Sequence, residues 1–215
     1  MATLIPVPPA TPPKEQARTR LARAAVVGAA RDLFLDRGYG ATTIEAISEA
    51  ADVPAATVYR LFSSKLGILK ALLDVSIVGD HEAVPMGERP QVRELADDTD
   101  PRAQLEGFVA VVAQINERVA PIYRILTSAA ASDPDAAALL DGLTKQRQQG
   151  QKVIARSLAR AGALRPGLRE RDAADIIHAL LSPEMYRLTV VDRGWSAERY
   201  HRWLSDLLVT QLLAV

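Results

Sequence analysis

The segment from Thr42 to Lys65 constrains the fold more than any other feature of this 215-residue chain. Residues 42–51 and residues 54–62 each carry apolar side chains at helical spacing, and a tight turn separates them. A basic helix precedes this pair and an apolar helix follows it. The pattern predicts a helix-turn-helix, whose second helix has a shape that fits the major groove of double-stranded DNA.

The helix before the pair is expected over residues 18–37, and Gly38 follows it as a residue that tolerates left-handed backbone. Thr42 then begins the next helix with a capping box, in which its hydroxyl accepts from the amide near Glu45. Ser64 is the expected N-cap of a fourth helix, which is rich in leucine. The first helix carries one apolar stripe, made of Val26, Ala30, Leu33 and Phe34.

The distribution of charge distinguishes an N-terminal part of the chain, here called the head, from the remainder, here called the body. Residues 1–70 hold nine Lys and Arg against six Asp and Glu, a balance of +3, and the whole chain has 26 of each kind, so the remainder carries −3. A mildly basic head on a mildly acidic body suits a DNA reader with a regulatory part. The excess is small, and an ordinary solvated helix face would show a similar one.

The chain is expected to be all-α, with a flexible Pro-rich arm at 1–17, a helix-turn-helix domain at 18–78, a connection at 79–100 and a helical regulatory and dimerisation domain at 101–215. Proline, glycine and acidic residues interrupt the pattern in the connection, which has room for one helical turn at 92–96. Asp100 and Asp133 each precede a proline and are expected to cap helices. The helices of the last domain are predicted near 101–118, 119–131, 134–161, 171–181, 183–192 and 196–213.

The outward positions of the second helix of the pair have chemistry that suits DNA. Arg60 can donate to guanine or phosphate, Tyr59 can donate to a phosphate oxygen, and small side chains can approach thymine methyl groups. Lys65 and the start of the preceding helix add expected phosphate contacts. Three ordinary packed helices with polar outer faces would explain the spacing equally well. The predicted DNA-contacting residues are Thr42, Thr43, Ala55, Ala56, Thr57, Tyr59, Arg60 and Lys65.

Three groups of residues together resemble the N-terminal signature of the TetR family of transcriptional regulators. They are Phe34-x3-Gly38-Tyr39, Thr42-Thr43-Ile44-x2-Ile47-x2-Ala50-Ala51-x-Val53 and Thr57-Val58-Tyr59-x2-Phe62-x2-Lys65. The resemblance implies a homodimer that binds a palindromic operator, most often as a repressor, and releases it on binding a small molecule. The chain departs from the family pattern at three positions, which bear on the operator sequence: Asp52 stands where glycine is frequent, Pro54 where Ser or Thr caps the helix, and Ala56 where glycine is frequent.

The resemblance also places an effector pocket and a dimer interface in the helical body. Aromatic residues make up only 5% of the chain, so the pocket is expected to be mostly aliphatic with one or two polar anchors, and the effector largely apolar. Each residue proposed for either role would serve equally as ordinary core. The pocket candidates are Phe108, Val112, Ile115, Asn116, Tyr123, Leu126, His178, Met185 and Tyr186, and the interface candidates are Ile176, Leu180, Trp203, Leu207 and Leu208.

Other classes of protein find little support in the sequence. There is no cysteine, no Gly-rich phosphate loop and no HExxH motif, and the three histidines are far apart along the chain. We therefore expect no enzyme, no metal and no cofactor. No apolar run is long enough to span a bilayer and no signal peptide is evident, which predicts a cytoplasmic protein. A helical interaction module that has lost DNA binding is the remaining alternative.

Overall fold

A computed structural model describes residues 13–79 and 90–214, and within them the prediction of an all-α fold is confirmed. The only β-type pairing in this part is an isolated bridge between Leu164 and Leu213. The helices are α1 Pro13–Ala41, α2 Ile44–Ala51, α3 Ala55–Phe62, α4 Lys65–Val78, α5 Pro90–Asp97, α6 Pro101–Ala130, α7 Pro134–Arg160, α8 Glu170–Leu180, α9 Pro183–Tyr186 and α10 Ala197–Leu212.

The first helix is longer than its sequence pattern indicates. It begins at Pro13, inside the stretch predicted as a flexible arm. Proline suits the first turn of a helix because an amide N–H at that position would have no partner within the helix. The backbone breaks from helical geometry at Gly38, with φ 79° and ψ 168°, so α1 is kinked near its predicted end. Residues 1–12 of the predicted arm lie outside the described residues.

Helix α2 begins one residue later than expected. Thr43 is its N-cap, and the Thr43 hydroxyl accepts from the amide of Ala46 at 3.1 Å. The capping box predicted at Thr42 is therefore wrong, because the Thr42 hydroxyl donates backward to the main-chain oxygen of Gly38 at 2.8 Å. Ser64 caps α4 as predicted, and its side chain accepts from the amide of Gly67.

The prediction of separate helices at 101–118 and 119–131 is wrong. The helix α6 runs unbroken from Pro101 to Ala130 with Pro121 inside it. Proline removes one backbone hydrogen bond, but Ile122 and Leu126 directly after it are buried, and this packing holds the helix together. In the predicted connection, residues 90–97 form the helix α5, while residues 80–89 lie outside the described residues.

The remaining helices follow their local signals closely. Asp100 and Asp133 cap α6 and α7 as predicted, each with a proline at the first helical position. Ser182 and Pro183 interrupt the pattern after α8 and start α9, which continues into a π-helical turn, Arg187–Val191. Within the described parts of the chain, no helix combines the length and apolar character needed to cross a lipid bilayer.

Two apolar cores divide the molecule differently from the predicted domains. The first core joins α1–α4 to the C-terminal half of α6, through residues such as Ile122 and Leu126. The second joins the N-terminal half of α6 to α7–α10, through residues such as Leu105, Leu158 and Leu204. The helix α6 therefore belongs to both cores, and the first core includes residues beyond residue 78.

Candidate nucleic-acid interface

The helix α3 presents one face to solvent and fixes the other in the first core. Val58 and Phe62 are buried, and they anchor the helix against the head. Ala56, Tyr59 and Arg60 are exposed, with Tyr59 exposed by 47%, and Ala55 and Thr57 are partly exposed beside them. Neither Tyr59 nor Arg60 forms a side-chain hydrogen bond or ion pair with another described residue. This face is therefore accessible to a ligand as large as a DNA duplex.

The turn between α2 and α3 is well formed despite its unusual residues. Asp52 adopts left-handed backbone, with φ 51° and ψ 42°, as its short polar side chain permits. The Ser48 hydroxyl donates to the main-chain oxygen of Val53 at 2.6 Å and closes the turn. Pro54 caps α3 without a side-chain hydrogen bond, so the first amides of α3 have no such partner at Pro54.

Arg23 on α1 positions α3, a role that the sequence pattern did not indicate. Its Nη1 donates to the main-chain oxygen of Leu61 at 2.9 Å, and its guanidinium lies 4.6 Å from the centre of the Phe62 ring. The hydrogen bond satisfies a carbonyl in the last turn of α3, and the cation favours that negative helix end. Periodicity on α1 alone gives no signal for this contact, because the partner lies 38 residues further along the chain.

Lys65 is engaged inside the head rather than directed only at solvent. Its Nζ donates to the main-chain oxygens of Tyr39 at 2.6 Å and Thr42 at 2.8 Å, and it lies 4.3 Å from the centre of the Tyr39 ring. Burial lowers the pKa of Lys65, and the carboxylate of Asp133 opposes that shift. Lys65 therefore ties the start of α4 to the α1–α2 connection, and its contact with a phosphate stays a prediction.

The two threonines before α2 separate into different roles. Thr42 is only 1% exposed, and its hydroxyl points to the main-chain oxygens of Gly38 and Leu33. The Thr42 side chain is therefore too buried to make the contact with DNA that the sequence predicted. Thr43 is exposed at the start of α2, where the positive end of the helix lies.

Most of the nine predicted pocket residues are divided between the two apolar cores. Two of them, Tyr123 and Leu126, are buried in the first core, and Ile115 packs against it. Four others belong to the second core or pack against it: Phe108, Val112, Met185 and Tyr186. These seven residues therefore divide between two cores, and the pocket assigned to the full set of nine stays a prediction.

Two polar residues among the predicted pocket residues, Asn116 and His178, form hydrogen bonds inside the body. Asn116 is buried and donates from Nδ2 to the main-chain oxygen of Leu181 at 3.2 Å. His178 lies 2.7 Å from Gln151 and 3.4 Å from Arg147, measured between hydrogen-bonding atoms. Sequence reasoning missed Arg147 and Gln151, which belong to a polar stretch of α7 that looks like a solvated face.

A separate open groove of about 390 Å³ runs between α5 and α6. Gly107 allows the close approach of the two helices, because a Cβ there would lie 2.1 Å from Cδ2 of Leu95. None of the predicted pocket residues lines this groove. Its lining residues are Glu94, Leu95, Asp98, Gly107, Ala110, Val111 and Gln114.

The predicted interface residues differ in how far they are exposed. Leu208 is fully buried within the second core of a single chain, so it is removed from the interface candidates. Ile176 and Leu180 on α8, and Trp203 and Leu207 on α10, are partly exposed. Trp203 packs edge-on against Trp195, with ring centres 5.4 Å apart.

Comparison with known proteins agrees with the head geometry. Residues 26–72 match the family model described as "Bacterial regulatory proteins, tetR family". The HTH-type transcriptional regulator TcmR of Streptomyces glaucescens is 34% identical over 85 residues, which is 38% of each chain. The uncharacterized HTH-type transcriptional regulator YvkB of Bacillus subtilis strain 168 is 44% identical over 48 residues, 22% of this chain and 25% of that protein. The chain thus matches well under half the length of these curated relatives.

Solved structures extend the likeness in fold to the body. Native NalD, the secondary repressor of the MexAB-OprM multidrug efflux pump in Pseudomonas aeruginosa, superposes with a TM-score of 0.70 at 21% identity, covering 91% of this chain and 98% of that one. The SmeT–triclosan complex gives a TM-score of 0.70 at 19% identity, covering 90% and 92%. The family model and the curated relatives show a TetR-type DNA-binding head in this chain, and the solved structures share its helical fold.

Proposed function

We propose that this protein is a ligand-responsive repressor that binds a palindromic operator as a homodimer in the cytoplasm and releases it on binding a small molecule. The observation that carries the proposal is the exposed face of α3, where Tyr59 and Arg60 have no side-chain partner among the described residues while Val58 and Phe62 hold the helix in place. A helix anchored in this way can enter a major groove without distorting the head.

Each exposed group on that face is assigned a contact with DNA. Arg60 donates to a guanine edge or a nearby phosphate, and Tyr59 donates its hydroxyl to a phosphate oxygen. The methyl groups of Ala55, Ala56 and Thr57 contact thymine methyl groups. Thr43 and the free amides at the start of α2 hold a second phosphate.

A homodimer would supply the second recognition helix for the other half of the palindrome. The four partly exposed residues of α8 and α10 support this arrangement: Ile176, Leu180, Trp203 and Leu207. Sedimentation equilibrium of the purified protein should give twice the 23.2 kDa chain mass. A monomer at micromolar concentration would contradict this part of the proposal.

The effector part of the proposal rests on the family and on the two-core architecture. Because α6 contributes to both cores, a ligand that rearranges the second core also acts on the packing of α4 in the first. The solved SmeT–triclosan complex, which has the same fold, supports a small-molecule effector for this chain.

Fluorescence anisotropy with duplexes from the DNA flanking the gene tests the DNA-binding proposal. We expect palindrome-specific binding that weakens steeply with salt, since phosphate contacts release counterions. Replacing Arg60 with Ala should reduce affinity about 10- to 100-fold and relax the preference at one base position. Arg31→Ala removes the same charge from an exposed site on α1 and should leave affinity near the wild-type value.

Binding that is absent, or that does not distinguish the palindrome from scrambled duplex, would sink the proposal. Tyr59→Phe gives a finer test, because it removes one hydroxyl and keeps the ring. It should weaken all duplexes by a similar factor, as a lost phosphate contact does. A change in sequence preference instead would place Tyr59 at a base.

A further inference from the structure

Arg147 and Gln151, one turn apart on α7, face His178 on α8 and form a polar cluster in the helical body. The three side chains form a chain of contacts: Arg147 Nη2 lies 3.4 Å from His178 Nε2, and His178 Nδ1 lies 2.7 Å from Gln151 Oε1. Gln151 is only 3% exposed. The surrounding second core is apolar, with Ile154 and Ala155 following on α7 and Ile177 preceding His178 on α8.

The hydrogen bonds assign the proton of the histidine ring. Because the Gln151 Oε1 can only accept, Nδ1 of His178 carries the hydrogen and donates to it. The other nitrogen, Nε2, is then free to accept from the Arg147 guanidinium. Burial, and then the charge of Arg147, lower the pKa of His178, in agreement with a neutral ring.

This arrangement leaves two buried donors without acceptors. Neither Nη1 of Arg147 nor Nε2 of Gln151 has a hydrogen-bond partner among residues 13–79 and 90–214. Arg147 also forms no ion pair with a carboxylate in the part of the chain that the structure describes. Buried polar groups in proteins are ordinarily hydrogen-bonded, and Nη1 is a buried donor of the partly exposed Arg147 side chain. Two donors of the cluster are therefore left without acceptors in the described part of the chain.

We propose that the cluster binds the carboxylate head of a small organic monoanion whose apolar body lies in the second core. The guanidinium of Arg147 offers a planar pair of donors that matches a carboxylate, and Nε2 of Gln151 adds a third. This inference rests on the proposed function and gives the effector a chemical class. It predicts that an apolar acid, and not the matching neutral compound, is the effector.

The charges around the cluster favour a single negative charge over a phosphate dianion. Among the described residues, Arg147 is the cation in contact with His178, and the lowered pKa of His178 favours its neutral ring. Asp175 and Glu184 lie close enough for their carboxylates to raise the pKa of His178, so they also repel a second negative charge. Phosphate compounds should bind more weakly than carboxylates of the same apolar body.

Calorimetry of the full chain without DNA tests the inference with defined probes. Decanoate and 4-phenylbutyrate are compared with decanamide and 4-phenylbutanamide, which keep the apolar body and lose the charge, and with decyl phosphate. At least one acid should bind 10-fold or more tightly than its amide, and decanoate more tightly than decyl phosphate. Equal binding of both acids and their amides, or no binding of either acid, overturns the proposal.

Two variants on the same helix assign the effect to the cluster. Arg147→Gln should reduce acid affinity 10-fold or more and leave amide affinity unchanged. Arg156→Gln removes an exposed arginine of α7 that pairs with Glu170, and it should bind like wild type. Equal acid binding by Arg147→Gln and wild type would overturn the assignment.

NMR of the wild-type protein keeps the test independent of whether a variant folds. Ring nitrogens of His178 should shift on addition of the acid, and the pKa of His178 should rise, because a bound anion favours the imidazolium. The amide should cause neither change. No response of His178 to a bound acid would place the acid elsewhere and overturn the proposal.

Failure of this inference is distinguishable from failure of the proposed function. Acid-selective binding without operator binding keeps the carboxylate site and removes the repressor function. Operator binding without acid selectivity removes the carboxylate site and keeps the DNA-binding function.

Discussion

The guanidinium of Arg118 on α6 donates from Nε to the main-chain oxygen of Ser76, 2.9 Å away, in the last turn of α4. Its Nη2 also reaches the oxygen of Ile77 at 3.3 Å. The last carbonyls of a helix have no partner within the helix, and a cation near them is favourable. Arg118 thus ties the C-terminal end of the DNA-binding head to the helix shared by both cores.

Replacing Arg118 with Gln should lower the free energy of unfolding by about 0.5–1.5 kcal/mol, because two hydrogen bonds from a charged donor are lost. Urea denaturation measures that change. Hydrogen exchange should be faster for the amides in the last turn of α4, where local opening becomes easier. Arg124→Gln, at an exposed site on the same helix, serves as the matched control. Equal exchange in the two variants would contradict this role of Arg118.

Gly67 is required by the close approach of α3 and α4. A Cβ there would lie 2.0 Å from the main-chain oxygen of Phe62, which cannot move aside as a side chain would. Gly67→Ala should therefore destabilise the protein by about 1–3 kcal/mol. Gly142→Ala, in the open on α7, should stabilise it by about 0.5–1 kcal/mol. Thermal unfolding of both variants checks the two signs, and a stable Gly67→Ala would show that the contact is relaxed in solution.

Lys65→Met should destabilise the head while keeping the apolar stem of the side chain. The loss of hydrogen bonds to the oxygens of Tyr39 and Thr42 is expected to cost about 1–3 kcal/mol. Lys70→Met removes an exposed lysine paired with Asp74 on the same helix and should change stability by less than about 1 kcal/mol. Urea denaturation compares the two.

DNA binding separates a positioning role of Lys65 from a direct phosphate contact. A positioning residue lowers affinity without altering the slope of log affinity against log salt. A lost phosphate contact would reduce the magnitude of that slope by about 0.9. A slope change of that size in Lys65→Met would confirm the phosphate contact predicted from the sequence.

The stability of the wild-type protein should decrease as pH is lowered, in part because His178 becomes protonated. Burial first, and then Arg147, lower its pKa below the ordinary value of 6.5, while Glu184 and Asp175 oppose the shift. The folded protein resists a proton that the unfolded chain accepts, so stability is lost as pH drops below 6.5 toward the lower folded-state pKa. Denaturation of wild type and His178→Gln between about pH 8 and pH 5 should show the steeper loss in wild type. Parallel curves would contradict the shift.

Local signals were sufficient to predict most of the helices. The Asp-Pro pairs at 100–101 and 133–134 cap α6 and α7, because a side-chain acceptor and a residue without an amide act within one turn. The position of the α2–α3 turn at Asp52 also followed from the sequence. The errors at Thr42 and Pro121 arose where a distant partner outweighed the local preference. Gly38 accepts from Thr42, and the first core holds α6 together across its proline.

The sequence by itself determined the helix-turn-helix, since its apolar spacing, turn and family signature all lie within one continuous segment. Only the tertiary structure decided that α6 serves two cores, that Lys65 closes the head, and that Arg147, Gln151 and His178 meet with donors left over. Periodicity records which face of a helix is apolar, but it does not record which other helix covers that face. Contacts between residues far apart in the chain depend on helix packing, and the polar cluster appears only when α7 and α8 are brought together.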